Sequence, residues 1–160
     1  MSSGDTKKPG SGKPVSGNFG SLPGLVGYHL RRAQKAVFNH FSHSLADLGI
    51  SPGQFGVLTL IEVNEGLGQS ALASILGIER STMVAVIDGL EAKGWVERQV
   101  SETDRRSKTL ILTKAGVKLL KRAGPQVADH ERQINAELSG KEKDQLIRLL
   151  GRVADAAERR

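Results

Sequence analysis

No cysteine occurs among the 160 residues, so disulfides, thiolate metal sites and a thiol redox switch are all excluded. No apolar run approaches the roughly 18 residues that a membrane-crossing helix needs. The first twenty residues carry lysines but lack the apolar core of a secretion signal. A cytoplasmic chain with no membrane partner is the expectation. The motifs of catalysis are also missing: there is no glycine-rich phosphate loop, no nucleophile elbow and no His-Glu-x-x-His. Neither enzyme activity nor a cofactor is therefore expected.

What is present is an ordinary globular composition, 38% hydrophobic and 25% charged, in a length that suits one domain. The net charge of +6 favours an anionic partner, and its distribution says more. Between Glu91 and Arg122 stand nine Lys/Arg against four Asp/Glu, a balance of +5; from Ala123 onward there are seven of each. A basic run standing alone is as often a solvated face.

Residues 1–20 are rich in Gly, Ser, Pro and Lys and nearly free of apolar side chains. They cannot offset the entropy of ordering, and a disordered tail is expected ahead of a domain over 21–160. From Leu22 an apolar stripe recurs at steps of three and four: Leu25, Val26, Leu30, Ala33, Val37, Phe41, Leu45, Leu48. Gly49 stops that helix, and Ser51-Pro52-Gly53-Gln54 reads as a capping box with proline at the first helical position. Thr113 caps a long helix with Val117, Leu120, Val127 and Ile134 on one side. Gly124-Pro125 predicts a kink or break within it. Ser139 to Glu142 is a second capping box opening a last helix with Leu146, Leu149, Leu150 and Val153. The helices over about 22–48 and 113–158 carry more apolar surface than the centre can cover. They are read as dimerisation helices, which makes a homodimer the economical solution.

The centre, about 51–113, reads as a helix-turn-helix with a wing. Ala73 is small where two helices would cross, Gly77 suits the turn, and Ile78, Met83 and Val86 would pin the second helix. Its exposed face would carry Arg80, Ser81, Thr82, Val84, Ala85 and Asp88. Ser81 and Thr82, in the first turn, suit a phosphate or a base edge, whereas Val84 and Ala85 offer only apolar contact to a thymine methyl. By itself the Ala-x3-Gly spacing fits a purely structural helix pair equally well. The wing is more specific. Val96, Arg98 and Val100 alternate on the outgoing strand, Leu110 and Leu112 on the return beyond Lys108, and the tip holds Asp104, Arg105 and Arg106. A narrow minor groove attracts an inserted arginine. Asp104 orients Arg106 or caps the turn.

Asp104-x-Arg106, five residues, then Leu112-Thr113 resembles the wing signature of the MarR family of winged-helix transcription regulators. The stretch from Leu72 to Thr113 is similar throughout, and the flanking helices extend the likeness over about 22–158. The resemblance implies a mainly α fold with a small β-wing: a winged helix-turn-helix with six helices, dimeric. It implies a regulator, most simply a repressor, bound to palindromic double-stranded DNA. By the same likeness Arg105 enters the minor groove, and Arg106 braces the wing against an acid on the recognition helix, here Asp88. Many members have polar or basic residues where this chain has Val84 and Ala85.

The first helix combines Tyr28, His29, Arg31 and Arg32 within two turns. Guanidinium groups suit carboxylate or phosphate, and Tyr28 with Phe38, Phe41 and Phe55 would line an aromatic slot. The segment is similar to family members that respond to aromatic acids or their CoA thioesters. The plainer reading keeps Tyr28 in the core and the arginines solvated or paired across a dimer. No complete metal-ligand set is evident; a zinc-responsive regulator built on His40 and His43, joined by His29, His130 or Glu131, is the alternative, as is a constitutive DNA binder without effector.

Overall fold

The computed structural model describes residues 17–100 and 108–159. The first sixteen residues of the expected tail, and the wing tip with Asp104, Arg105 and Arg106, lie outside them. The chain divides into two compact units, one ending at Gln34 and one beginning at Lys35. The first unit holds a 3-10 turn, Leu22–Gly24, and the opening turns of helix α1, which runs from Val26 to Ser44. The expected single helix over 22–48 is thus α1 flanked by two 3-10 turns, the second at Ala46–Leu48. Pro23 in the first turn and Gly49 at the left-handed position (φ 60°) after the second set those limits.

The second unit continues with α2 (Pro52–Val63), α3 (Gln69–Ile75), α4 (Arg80–Ala92), strands β1 (Val96–Val100) and β2 (Lys108–Leu112), α5 (Lys114–Ile134) and α6 (Gly140–Glu158). Both expected capping boxes form. Ser51 and Gln54 exchange side-chain and backbone bonds at the start of α2, and Ser139 and Glu142 do so at the start of α6. Gly77 takes φ 61° between α3 and α4, a conformation that costs a side-chain-bearing residue about 1 kcal/mol or more. The strands pair antiparallel, Val96 opposite Leu112 and Arg98 opposite Leu110. The Leu110 N–H donates to the Leu67 carbonyl just before α3, so the return strand is also sewn to the helix pair.

Leu58, Leu72, Met83, Ile87, Leu90 and Leu110 are the fully enclosed centre of this unit. Each such side chain contributes about 1.5–3 kcal/mol by leaving water. Met83, Ile87 and Leu90 lie at steps of four and three on α4 and anchor its inner face, which turns the intervening residues outward.

Of the kink or break expected at Gly124-Pro125, the break does not form. Helix α5 runs without a break through Pro125. Proline removes the bond to the Lys121 carbonyl, but buried Leu119, Leu120 and Ala123 before it and His130 after it hold both halves in place. The apolar stripe of α6 is left uncovered within the chain, in keeping with the excess of apolar surface expected on the flanking helices: Leu146, Ile147, Leu149, Leu150 and Val153 are exposed, and no residue of that helix is buried.

Candidate nucleic-acid interface

Helix α4 presents Arg80, Ser81, Thr82, Val84, Ala85 and Asp88 to solvent, the face anticipated from spacing. Val84 is 40% exposed, an unusual position for a branched apolar side chain flanked by hydroxyls and a guanidinium. The residue before the helix, Glu79, makes no side-chain cap, and its first turn carries no acidic residue. The opening N–H groups, which have no partner within a helix, therefore keep their capacity for an anion. Lys108 lies exposed at the start of the return strand.

Arg98 was expected among the DNA contacts, and the structure places it differently. Its guanidinium bonds Asp88 Oδ1 at 2.8 Å, Gln69 Oε1 at 3.0 Å and the Glu91 carboxylate, and its backbone N–H donates to Glu91 Oε1 at 3.1 Å. The side chain is only 23% exposed. Arg98 thus ties strand β1 to α4 and α3 together. Among the described residues the arginine that Asp88 holds is Arg98; Arg106, the arginine expected there, lies outside them.

The junction after α4 is equally tight. Lys93 donates to the Gly49 carbonyl at 2.9 Å and lies 4.5 Å from the centre of the Trp95 ring. Thr113 N–H donates to the Trp95 carbonyl at 3.1 Å, and the Thr113 hydroxyl donates to the Gly94 carbonyl at 2.6 Å while accepting from Gly116 N–H. A Cβ on Gly116 would stand 2.1 Å from the Trp95 carbonyl oxygen. Sequence reading assigned Gly116 no role; its requirement comes from a backbone 21 positions away in the chain.

The candidate effector residues fall into both units. In the first, His29 Nε2 donates to the Pro23 carbonyl at 2.8 Å, Arg32 lies 5.6 Å from the Tyr28 ring centre, and Phe19 and His29 flank that ring. Neither Arg31 nor Arg32 joins an ion pair among the described residues. In the second, Phe38 is 48% exposed, whereas Phe41 is packed into the core, 6.1 Å from Phe55 between ring centres. Phe41 is therefore a packing residue rather than an open wall. His43 turns back to the Asn39 carbonyl of its own helix, and among the described residues no group of three or more His or acidic side chains is arranged to hold a metal ion.

The MarR family model matches residues 50–108, from the start of α2 to the return strand. A candidate transcriptional regulatory protein for the hcr operon of Thauera aromatica is 40% identical over 148 residues, 89% of each chain. The chain belongs to the MarR family. As a MarR protein it is a transcriptional regulator, with the winged helix-turn-helix fold of its relatives. Among solved structures, the transcriptional repressor CouR bound to a 23-mer DNA duplex matches with TM-score 0.81 and 40% identity, covering 88% of this chain and 99% of that one. CouR bound to p-coumaroyl-CoA matches with TM-score 0.80 and 38% identity, over 86% and 96%. No single described helix of this MarR protein is long and apolar enough to cross a membrane.

Proposed function

We propose that this MarR protein is a cytoplasmic, homodimeric repressor that binds a palindromic duplex through α4 in the major groove. The observation that carries this reading is the face of α4. Its inner residues Met83, Ile87 and Leu90 are buried, and its outer face joins Arg80, Ser81, Thr82, Val84 and Ala85 beside an uncapped helix start. The likeness to CouR on DNA supports it. The two α4 helices read half-sites one helical turn, about 10–10.5 bp, apart. Arg98 acts as a clasp that holds α4 and the wing at a fixed angle, while Lys108 contacts the backbone and Arg105, outside the described residues, enters the minor groove. Arg105→Ala then lowers affinity and reduces the salt slope by about 0.9; an unchanged slope removes that role.

The effector is an aromatic acid or its CoA thioester. The composition of the first unit supports this, with an aromatic ring beside a guanidinium and two arginines outside any described ion pair. The likeness to CouR bound to p-coumaroyl-CoA supports it as well. The ligand acts by binding better to a dimer whose α4 helices no longer match the half-site spacing. The test is an operator-release titration on duplex selected from random DNA, with hydroxycinnamic acids, their CoA thioesters and free CoA as separate arms. Release by a thioester at concentrations where free CoA is inert is the expected result; release by none of the three overturns the effector class.

A further inference from the structure

His130 is the one buried polar side chain among the described residues, 2% exposed, and its Nδ1 lies 2.7 Å from Nδ1 of His40. Two neutral imidazoles can make this contact only if one donates and the other accepts. The surroundings say which. Asp129 takes a bond from Gln133 Nε2, which leaves Gln133 Oε1 toward His40 Nε2 at 3.1 Å. An amide oxygen only accepts, so His40 carries its proton on Nε2 and its Nδ1 is a lone pair. His130 must then donate from Nδ1. Ser44 Oγ stands 3.3 Å from the same His40 nitrogen as a second donor, and the edge of the Phe41 ring closes over His130, 5.3 Å between centres. A chain of bonds therefore runs from the Asp129 carboxylate through Gln133 and His40 to His130, joining the Lys35–Ser44 part of α1 to α5.

We propose that His40 and His130 form a proton-operated latch between α1 and α5, closed when both rings are neutral and opened by acid. A proton on His40 Nδ1 faces the His130 N–H unless His130 changes tautomer; a proton on His130 Nε2 creates a cation on a ring that is buried against the edge of Phe41; two protons set two cations against each other. Among the described residues the charged groups tied to the pair are Glu131 on α5 and Asp129, which reaches His40 through Gln133 and is itself paired with Arg132. His43 turns to the Asn39 carbonyl, and the ring of α2, Phe55, is uncharged and packs on Phe41. Burial first, and His40 second, hold the His130 imidazole below its ordinary value of 6.5, with Glu131 opposing. A depressed value means the unfolded chain takes up the proton first. The latch thus gives its full stability above about pH 6.5 and loses it as pH falls through the folded value. Its reach to DNA rests on the reading of α4 given above. Helix α5 is bonded through Thr113 to Gly94 and Trp95, directly after α4, so a shift of α5 moves the recognition helix.

The test begins with the unmodified full chain. Long-range proton–nitrogen spectra at pH 7.5 are expected to show His130 as the Nδ1–H tautomer and His40 as Nε2–H; His130 as Nε2–H overturns the latch. Unfolding and operator affinity are then followed from pH 7.5 to 5.5. His130→Asn keeps a donor near the Nδ1 position without titrating, and His40→Gln is the second variant should the first fail to fold. Wild type is expected to lose about tenfold in affinity, and the variant less than about twofold. Parallel decline of wild type and variant overturns the latch. Lost stability with unchanged affinity overturns its coupling to α4. A chain that binds no selected duplex at pH 7.5 overturns the DNA reading instead, and the tautomer and unfolding measurements still decide the latch.

Discussion

Val84 and Arg98 show how differently two side chains of one lobe serve recognition. Val84 has no hydrogen-bonding group, yet it is exposed on the outer face of α4 between residues that have them. Apolar contact with a thymine methyl is the readout open to it. Val84→Ala removes two methyl groups and, at about 0.8 kcal/mol per group, is expected to weaken operator binding by roughly 4- to 15-fold. Replacing the matching thymine by uracil produces a similar loss in wild type and little further loss in the variant. Equal losses from uracil in both proteins remove the methyl contact. Arg98, by contrast, is occupied by Asp88, Glu91 and Gln69. Arg98→Ala leaves two carboxylates without their cation and is expected to cost about 2 kcal/mol in denaturant unfolding. It weakens DNA binding with the salt slope unchanged, which separates a clasp from a phosphate contact.

At the scale of elements, α5 is governed by two residues whose local signals mislead. Gly116, in its first turn, resembles any tolerated helical glycine, but the Trp95 carbonyl leaves no space for a Cβ. Gly116→Ala is expected to destabilise by about 2–4 kcal/mol in a thermal or urea melt, against a small gain at an open helical site. Pro125 reads as a breaker, yet α5 continues past it. Pro125→Ala restores the bond to the Lys121 carbonyl and is expected to raise stability by about 1–3 kcal/mol; a loss of stability would show that the missing bond is compensated locally.

For the whole molecule, the exposed apolar rows of α1 and α6 have the composition of a subunit interface. Leu146, Leu149, Leu150 and Val153 follow the three-and-four spacing of a packed face although nothing within the described chain buries them. Leu146→Glu with Leu150→Glu is expected to shift the protein to a monomer in sedimentation. Operator affinity then falls by orders of magnitude, because one half-site supplies roughly half of the binding energy. An intact dimer in this double variant moves the interface elsewhere.

Much of this molecule was legible without coordinates because it is written in short-range rules. Capping boxes at Ser51 and Ser139, the left-handed glycines 49 and 77, and the alternation of the strands each depend on residues at most a few positions apart. The outer face of α4 was legible for the same reason. Other features depended on distances that only folding creates. Arg98 meets Asp88, Glu91 and Gln69 because three elements cross there; Gly116 is required by a carbonyl in another segment; His40 and His130, 90 positions apart, lie within hydrogen-bond distance because α1 passes α5. Phe41 passed from a proposed ligand wall to the core for this reason as well. Periodicity tells which side of a helix is apolar. Only tertiary packing decides what that side meets, and therefore which charged and ring-bearing residues remain free to act.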